Sequence, residues 1–238
     1  LAWVALSLVI LLHLDIHPDI RNVVLLGTVL VPLAPVVNAR LPQLVFFLKK
    51  RQRRSVPAFK DKDRYVAIDC EMVGVGPSGK RSALARISIV DWDLEVVFDT
   101  YVQVMDRVTD YRTHVSGIRP KHLKGPNAMN FRKCREHVAE ILRDKIIVGH
   151  GLENDFEALR LTHPEDLVRD TAAYQQFQRL DSGKWKSRKL RDLVHTYLGT
   201  QDFQTGEHDS IQDARAVMQL YHIFHRKWEQ SIPTRTMN

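Results

Sequence analysis

Apolar and polar positions interleave most cleanly in Tyr65-Val-Ala-Ile-Asp-Cys-Glu-Met-Val73, where Val66, Ile68 and Cys70 alternate with Tyr65, Ala67 and Asp69. That period predicts a buried strand. A second apolar run, Leu-Ala-Arg-Ile-Ser-Ile-Val at 84–90, is followed by a turn at Asp91-Trp-Asp93 and a third strand over 95–104. Connections this short favour an antiparallel meander. Residues 109–123 have no clear period and read as a loop with short helical turns. Phe131, Cys134, Val138, Ile141 and Leu142 then fall on one helical face. A short buried strand at 145–148 is broken by Gly149-His-Gly151, and a helix follows over 153–161 with Phe156 and Leu159 inward. Residues 167–168 read as a strand ending at Arg169-Asp-Thr171. Helices are expected over 171–178 and 189–198, the second stopped by Gly199. The last helix is the clearest: Ser210 and Asp213 have capping-box spacing, and Ala214, Val217, Met218, Tyr221, Phe224 and Trp228 form one stripe. Three meander strands followed by alternating helices and strands predict an α/β fold, a mixed central sheet with helices on both sides.

Composition adds a boundary. The chain has 238 residues, 44% hydrophobic and 26% charged, which suits one α/β domain plus an appendage. The division expected is an apolar segment with a basic linker at 1–60, a domain at 61–230 and a tail at 231–238. Residues 1–14 are almost wholly apolar, residues 22–37 hold Pro32 and Pro35, and Lys-Lys-Arg-Gln-Arg-Arg occupies 49–54. No stretch there reaches the roughly 20 apolar residues of a spanning helix. Residues 1–47 are therefore open to three readings: a membrane contact with the domain on the cytoplasmic side, a tail packing on a partner, or a segment outside the working protein. The net charge of +7 favours a polyanionic partner, with plain solubilisation as the alternative. Two cysteines, Cys70 and Cys134, make no disulfide framework and no zinc cluster.

The chemistry concentrates in acids. Asp69 and Glu71 are two apart on a strand, so both carboxylates face the same side. Two like charges losing water together need compensation, and a divalent cation supplies it. Asp155 lies just past a buried strand in the first turn of a helix, a position where α/β domains collect active residues. Asp213 lies in the first turn of the last helix, and His208 precedes its cap on an approach expected to be flexible. Taken singly, an acid early in a helix is an ordinary dipole partner. Four acids and one histidine at element boundaries that can converge point instead to one shared site that a divalent cation would compensate.

Asp69-x-Glu71, His150-x4-Asp155 and His208-x4-Asp213 together resemble the three motifs of the DEDDh 3′–5′ exonucleases, which have a ribonuclease H-like fold. DCEMVG at 69–74, ARISIV at 85–90, TDYRTHVSGI at 109–118, RDT at 169–171 and HDSIQDARA at 208–216 are similar to its RNA exonuclease 4 and interferon-stimulated branch. The resemblance covers residues 65 to 228 and leaves 1–60 untouched. It implies two Mg²⁺ or Mn²⁺ ions held by Asp69, Glu71, Asp155 and Asp213, with His208 as the base for the attacking water. It also implies Met72 at the terminal nucleotide, Arg112 at the ribose of the 3′ end, and His150 outside the ligand sphere. Core filler and a solvated loop arginine are the plain readings of Met72 and Arg112. The run Lys184-Trp-Lys-Ser-Arg-Lys189 reads either as a strand guide or as a solvated helix start. The activity implied is removal of nucleoside 5′-monophosphates from the 3′ end of single-stranded RNA, including ribosomal RNA. DNA is the alternative substrate, and an inactive RNA-binding module in ribosome assembly the rival from another class. A monomer in the nucleus or nucleolus completes the expectation.

Overall fold

The computed structural model describes residues 61–232. The apolar segment, the basic run and most of the tail lie outside the described residues. Among the described residues no helix is long and apolar enough to cross a membrane.

Among the described residues, nine strands and five α-helices follow in chain order: β1 (Tyr65–Val75), β2 (Arg81–Asp91), β3 (Val96–Gln103), β4 (Val108–Asp110), α1 (Thr113–Ser116), β5 (Ala128–Asn130), α2 (Phe131–Leu142), β6 (Ile146–Gly149), α3 (Leu152–Leu159), β7 (Val168–Asp170), β8 (Arg179–Asp181), β9 (Lys184–Lys186), α4 (Leu190–Leu198) and α5 (Ser210–Ser231). Seven of the strands form one sheet in the order β5-β3-β2-β1-β6-β7, with β4 added to β1. β1, β2 and β3 are the antiparallel meander, while β5, β6 and β7 pair in parallel.

Period two on β1 sends Tyr65 and Ala67 into a core with Leu193 of α4 and Val217 and Tyr221 of α5. Val66 and Ile68 go into the opposite core with Cys134 and Val138 of α2 and Leu159 of α3. Both faces are thus covered, which is why β1 carries no polar residue before Asp69. β6 pairs with β1 only as far as Ala67, and β4 joins β1 only from Gly74. Between them the edge of β1 carrying Asp69, Cys70, Glu71 and Met72 has no strand beside it, and a crevice opens at the carboxyl end of β6.

Three expectations change. Asp209, not Ser210, caps α5: its Oδ1 accepts from the Ile211 amide at 3.2 Å. Ser210 is fully buried and its Oγ meets Ser88 Oγ at 2.6 Å. Aspartate caps as well as serine, whereas a buried hydroxyl such as Ser88 needs a partner inside. Residues 171–178 form a turn and a 3-10 segment, Gln175–Phe177, in place of a helix. Tyr174 is extended there, and its ring stacks on Trp228 with centroids 3.9 Å apart. Residues 184–186 are a strand of a β8–β9 hairpin rather than a helix start. Ser182 and Gly183 both have positive φ, 51° and 77°, the pair of left-handed residues a two-residue hairpin turn requires.

Candidate active site

Asp69 and Glu71 continue the α5-facing side of β1, and Asp213 arrives on that side from the first turn of α5. Glu71 and Asp213 are 6% and 3% exposed. One carboxylate oxygen from each and one ring nitrogen of His208 lie within 4.8 Å of one another. The His208 Nδ1 is 3.6 Å from Asp213 Oδ2, and the Gln204 amide donates to that same oxygen at 2.8 Å. The approach to α5 is fixed rather than free to swing: the His208 amide donates to the Val115 carbonyl at 2.7 Å.

Asp155 reaches the group from the other face. It is buried on α3, with the Cys70 thiol and amide near enough to oppose part of the rise in its pKa. It therefore sits beside β1 at the open edge, next to Asp69, and does not line the cavity itself. The N-terminus of α3 is held by Asp170, whose carboxylate accepts from the Gly151, Leu152 and Ala172 amides at 2.8, 3.0 and 2.8 Å.

Burial is the main cause of the electrostatics here. It raises the Asp69 carboxyl well above the usual carboxylate range, with Asp155, Asp213 and Glu71 adding repulsion. Burial and the Asp213 charge push Glu71 up to about 8. Burial lifts Asp155 to about 7 and Asp213 to about 6. The positive charge set against them is Arg86, opposite Glu71 on β2. Its guanidinium is already committed: Nε and Nη2 donate to both oxygens of Asp99 and Nη1 to Asp209 Oδ1, at 2.9, 3.1 and 3.1 Å. Glu71 Oε1 is buried and has no hydrogen-bond partner. Buried carboxylate oxygens gathered around one unpartnered acceptor are the set a hard divalent cation takes, so the residues present fit such an ion.

The cavity over these acids has a volume of about 760 Å³. Met72, Arg112, His150, Lys189 and Arg191 are in its wall with Asp69, Glu71, His208 and Asp213. Arg112 has a left-handed backbone, φ 49°, and its guanidinium donates to Ser82 Oγ at 3.0 Å and the Gly79 carbonyl at 2.9 Å. It is bound to the 79–82 turn, neither free nor a solvated loop arginine. His150 is a wall residue, its Nδ1 2.9 Å from Thr171 Oγ1. Burial lowers its pKa, as it does that of His208, where Arg191 adds to the effect.

Several contributors escaped the sequence reading. Arg86 had a visible signal, a lone cation inside an apolar strand. Asp209 and Gln204 had none beyond proximity to His208; the Asp209 partner Arg86 lies 123 residues away.

The exonuclease family matches residues 66–221. The chain belongs to that family. RNA exonuclease 4 of Saccharomyces cerevisiae is 48% identical over 162 residues, 68% of this chain and 55% of the relative. That of Cryptococcus neoformans is 46% identical over 173 residues, 73% of this chain and 41% of the relative. The chain thus spans about two fifths to three fifths of the length of such relatives. Among solved structures, a Saccharomyces cerevisiae Pan2 pseudoubiquitin hydrolase-RNA exonuclease module in complex with AAGGA RNA matches with a TM-score of 0.61 and 32% identity, over 71% of this chain and 30% of that one.

Proposed function

We propose that the chain is a divalent-metal-dependent 3′–5′ exonuclease that shortens single-stranded RNA and releases nucleoside 5′-monophosphates. The observation that carries it is the orphaned Glu71 oxygen beside Asp213 and His208, in a crevice where four carboxylates repel one another. The RNA preference is supported by the relatives named RNA exonuclease 4 and by the Pan2 module's complex with AAGGA RNA.

Asp69, Glu71, Asp155 and Asp213 would hold two ions, Mg²⁺ or Mn²⁺. Bound there, the ions supply positive charge for the attacking and leaving oxygens of an in-line displacement at phosphorus. The other roles belong to the chain. His208 Nδ1 lies 3.4 Å from the Gln204 amide nitrogen and 3.6 Å from Asp213 Oδ2, and the ring is the base that takes the proton of the attacking water. The lowered pKa keeps that ring neutral and able to accept. Gln204 holds Asp213 in register. Met72 packs against the terminal nucleotide, and Arg112, fixed by Ser82 and Gly79, sets the edge of the 3′-end pocket. The same reading places the enzyme as a monomer in the nucleus, acting in RNA processing that includes ribosomal RNA. The basic run at 49–54 supports that compartment.

The test is degradation of matched 5′-labelled RNA and DNA oligonucleotides by the full chain with Mg²⁺, with Mn²⁺ and with chelator. An Asp69→Ala, Asp213→Ala variant is the control. A metal-dependent ladder shortening from the 3′ end, absent in the control and faster on RNA, is the expected result. Binding without cleavage under either metal would leave only an RNA-binding module.

A further inference from the structure

The β8–β9 hairpin is unlike the rest of the surface. In its register Leu180 stands opposite Trp185, and the pairs on either side are Arg179 with Lys186 and Asp181 with Lys184. Period two therefore puts the two large apolar side chains on one face of the ribbon and the charged pairs on the other. Leu180 is 62% exposed and Trp185 53% exposed, and the Trp185 ring meets no other ring among the described residues. Arg179 and Lys186 are like charges directly opposite each other, and Lys186 Nζ donates to Asp181 Oδ2 at 2.6 Å. From 179 to 191 the chain carries six cations, Arg179, Lys184, Lys186, Arg188, Lys189 and Arg191, against one acid, Asp181.

The hairpin also leads somewhere. Lys189 and Arg191 are in the wall of the cavity over the acids. Two residues, Ser187 and Arg188, separate Lys186 from Lys189, at most about 10 Å of extended chain. The stem is held to α4: Arg188 Nη2 donates to Thr196 Oγ1 at 2.7 Å.

We propose that this hairpin is a docking ribbon for the RNA strand upstream of the scissile end. A base stacks on Trp185 against Leu180, and Arg179 and Lys184 reach the flanking phosphates. Charge complementarity selects a polyanion, and the exposed indole selects one with accessible bases, hence a single strand over a duplex. This rests on the exonuclease reading above for where the 3′ end lies, and the test separates the two.

The experiment compares the full chain with Trp185→Ala, Trp185→Phe and Arg179→Ala/Lys184→Ala variants on a trinucleotide and on an RNA of about 12 nucleotides, within the span such surfaces cover. Anisotropy in excess chelator reads binding, and metal-initiated cleavage reads turnover. For Trp185→Ala, Kd and KM on the longer RNA should rise about tenfold, the loss typical of one stacked base. The rate constant kcat and all constants on the trinucleotide should stay unchanged. Phenylalanine should restore most of the affinity. The double variant should lower the slope of log Kd against log salt by about one to two. Equal losses on both lengths, or no loss on the longer RNA, would overturn the proposal. If the wild-type chain binds but cleaves nothing, the exonuclease reading fails while the anisotropy series still decides the hairpin.

Discussion

Glu71 shows how one residue serves chemistry against stability. Its carboxyl is buried, unpartnered at Oε1 and raised to about 8. Replacing it with glutamine removes a charge that the fold resists and a ligand that an ion needs. Glu71→Gln should raise the thermal midpoint in chelator near pH 8. It should also cut cleavage with Mg²⁺ roughly a thousandfold, the several kcal/mol a metal contributes at about 1.4 kcal/mol per decade. A midpoint that falls would show that Glu71 has a structural partner. His208 makes a second prediction at this scale. A base must be neutral, and its pKa is lowered by burial and by Arg191. The wild-type rate should therefore fall on acidification only below the usual histidine value of about 6.5. His208→Ala should lower kcat by about a hundredfold to ten-thousandfold and lose that acid limb in a pH–rate profile.

The N-terminus of α5 joins the sheet, the site and the helix through a few side chains. Asp209 caps the helix and receives Arg86, while Ser210 enters the core to meet Ser88, which also donates to Asp99 at 2.7 Å. Arg86 thereby ties β2, β3 and α5 together behind Glu71. Asp209→Ala removes a cap worth about 1 kcal/mol and one partner of Arg86. It should lower the midpoint by roughly 2–4 °C per kcal/mol lost. Asp209→Asn keeps the cap and should recover about that fraction. Calorimetry of the three proteins separates the cap from the ion pair, and identical midpoints would mean neither matters.

For the whole domain, the acids set a pH dependence of definite sign. A carboxyl whose pKa is raised by folding binds its proton more tightly in the folded state. The stability it contributes is complete below its ordinary value, near 4, and is lost as pH rises through its folded value. With Asp213 at about 6, Asp155 at about 7 and Glu71 at about 8, the loss begins near pH 4 and ends near each of those values in turn, so above pH 6.5 Asp155 and Glu71 carry it. His122, His150, His208 and His222 have lowered values and act in the opposite sense, but their contribution is complete by about pH 6.5. In chelator the midpoint should fall from pH 6.5 to 8.5. Added Mn²⁺ or Mg²⁺ should restore it, more at the higher pH, because the ion binds the ionised set. A midpoint independent of both pH and metal would mean the carboxylates are not gathered as described.

The meander, the stripe of α5 and the two acids on one strand face were legible in the sequence because each is a local period, two or 3.6 residues, written by burial. The meeting of Glu71, Asp213 and His208 could be anticipated because carboxylates in apolar contexts have few structural uses. What tertiary structure alone decided is pairing. Whether Ser210 or Asp209 caps α5 depended on Ser88, 122 residues away in sequence. The turn at 171–178 depended on Tyr174 finding Trp228, and the hairpin over 179–186 depended on cross-strand bonds rather than on any apolar period. The crevice itself exists because β6 leaves β1 at Ala67 while β4 joins only at Gly74. Such a gap is a property of three strands at once, and no single stretch of chain encodes it.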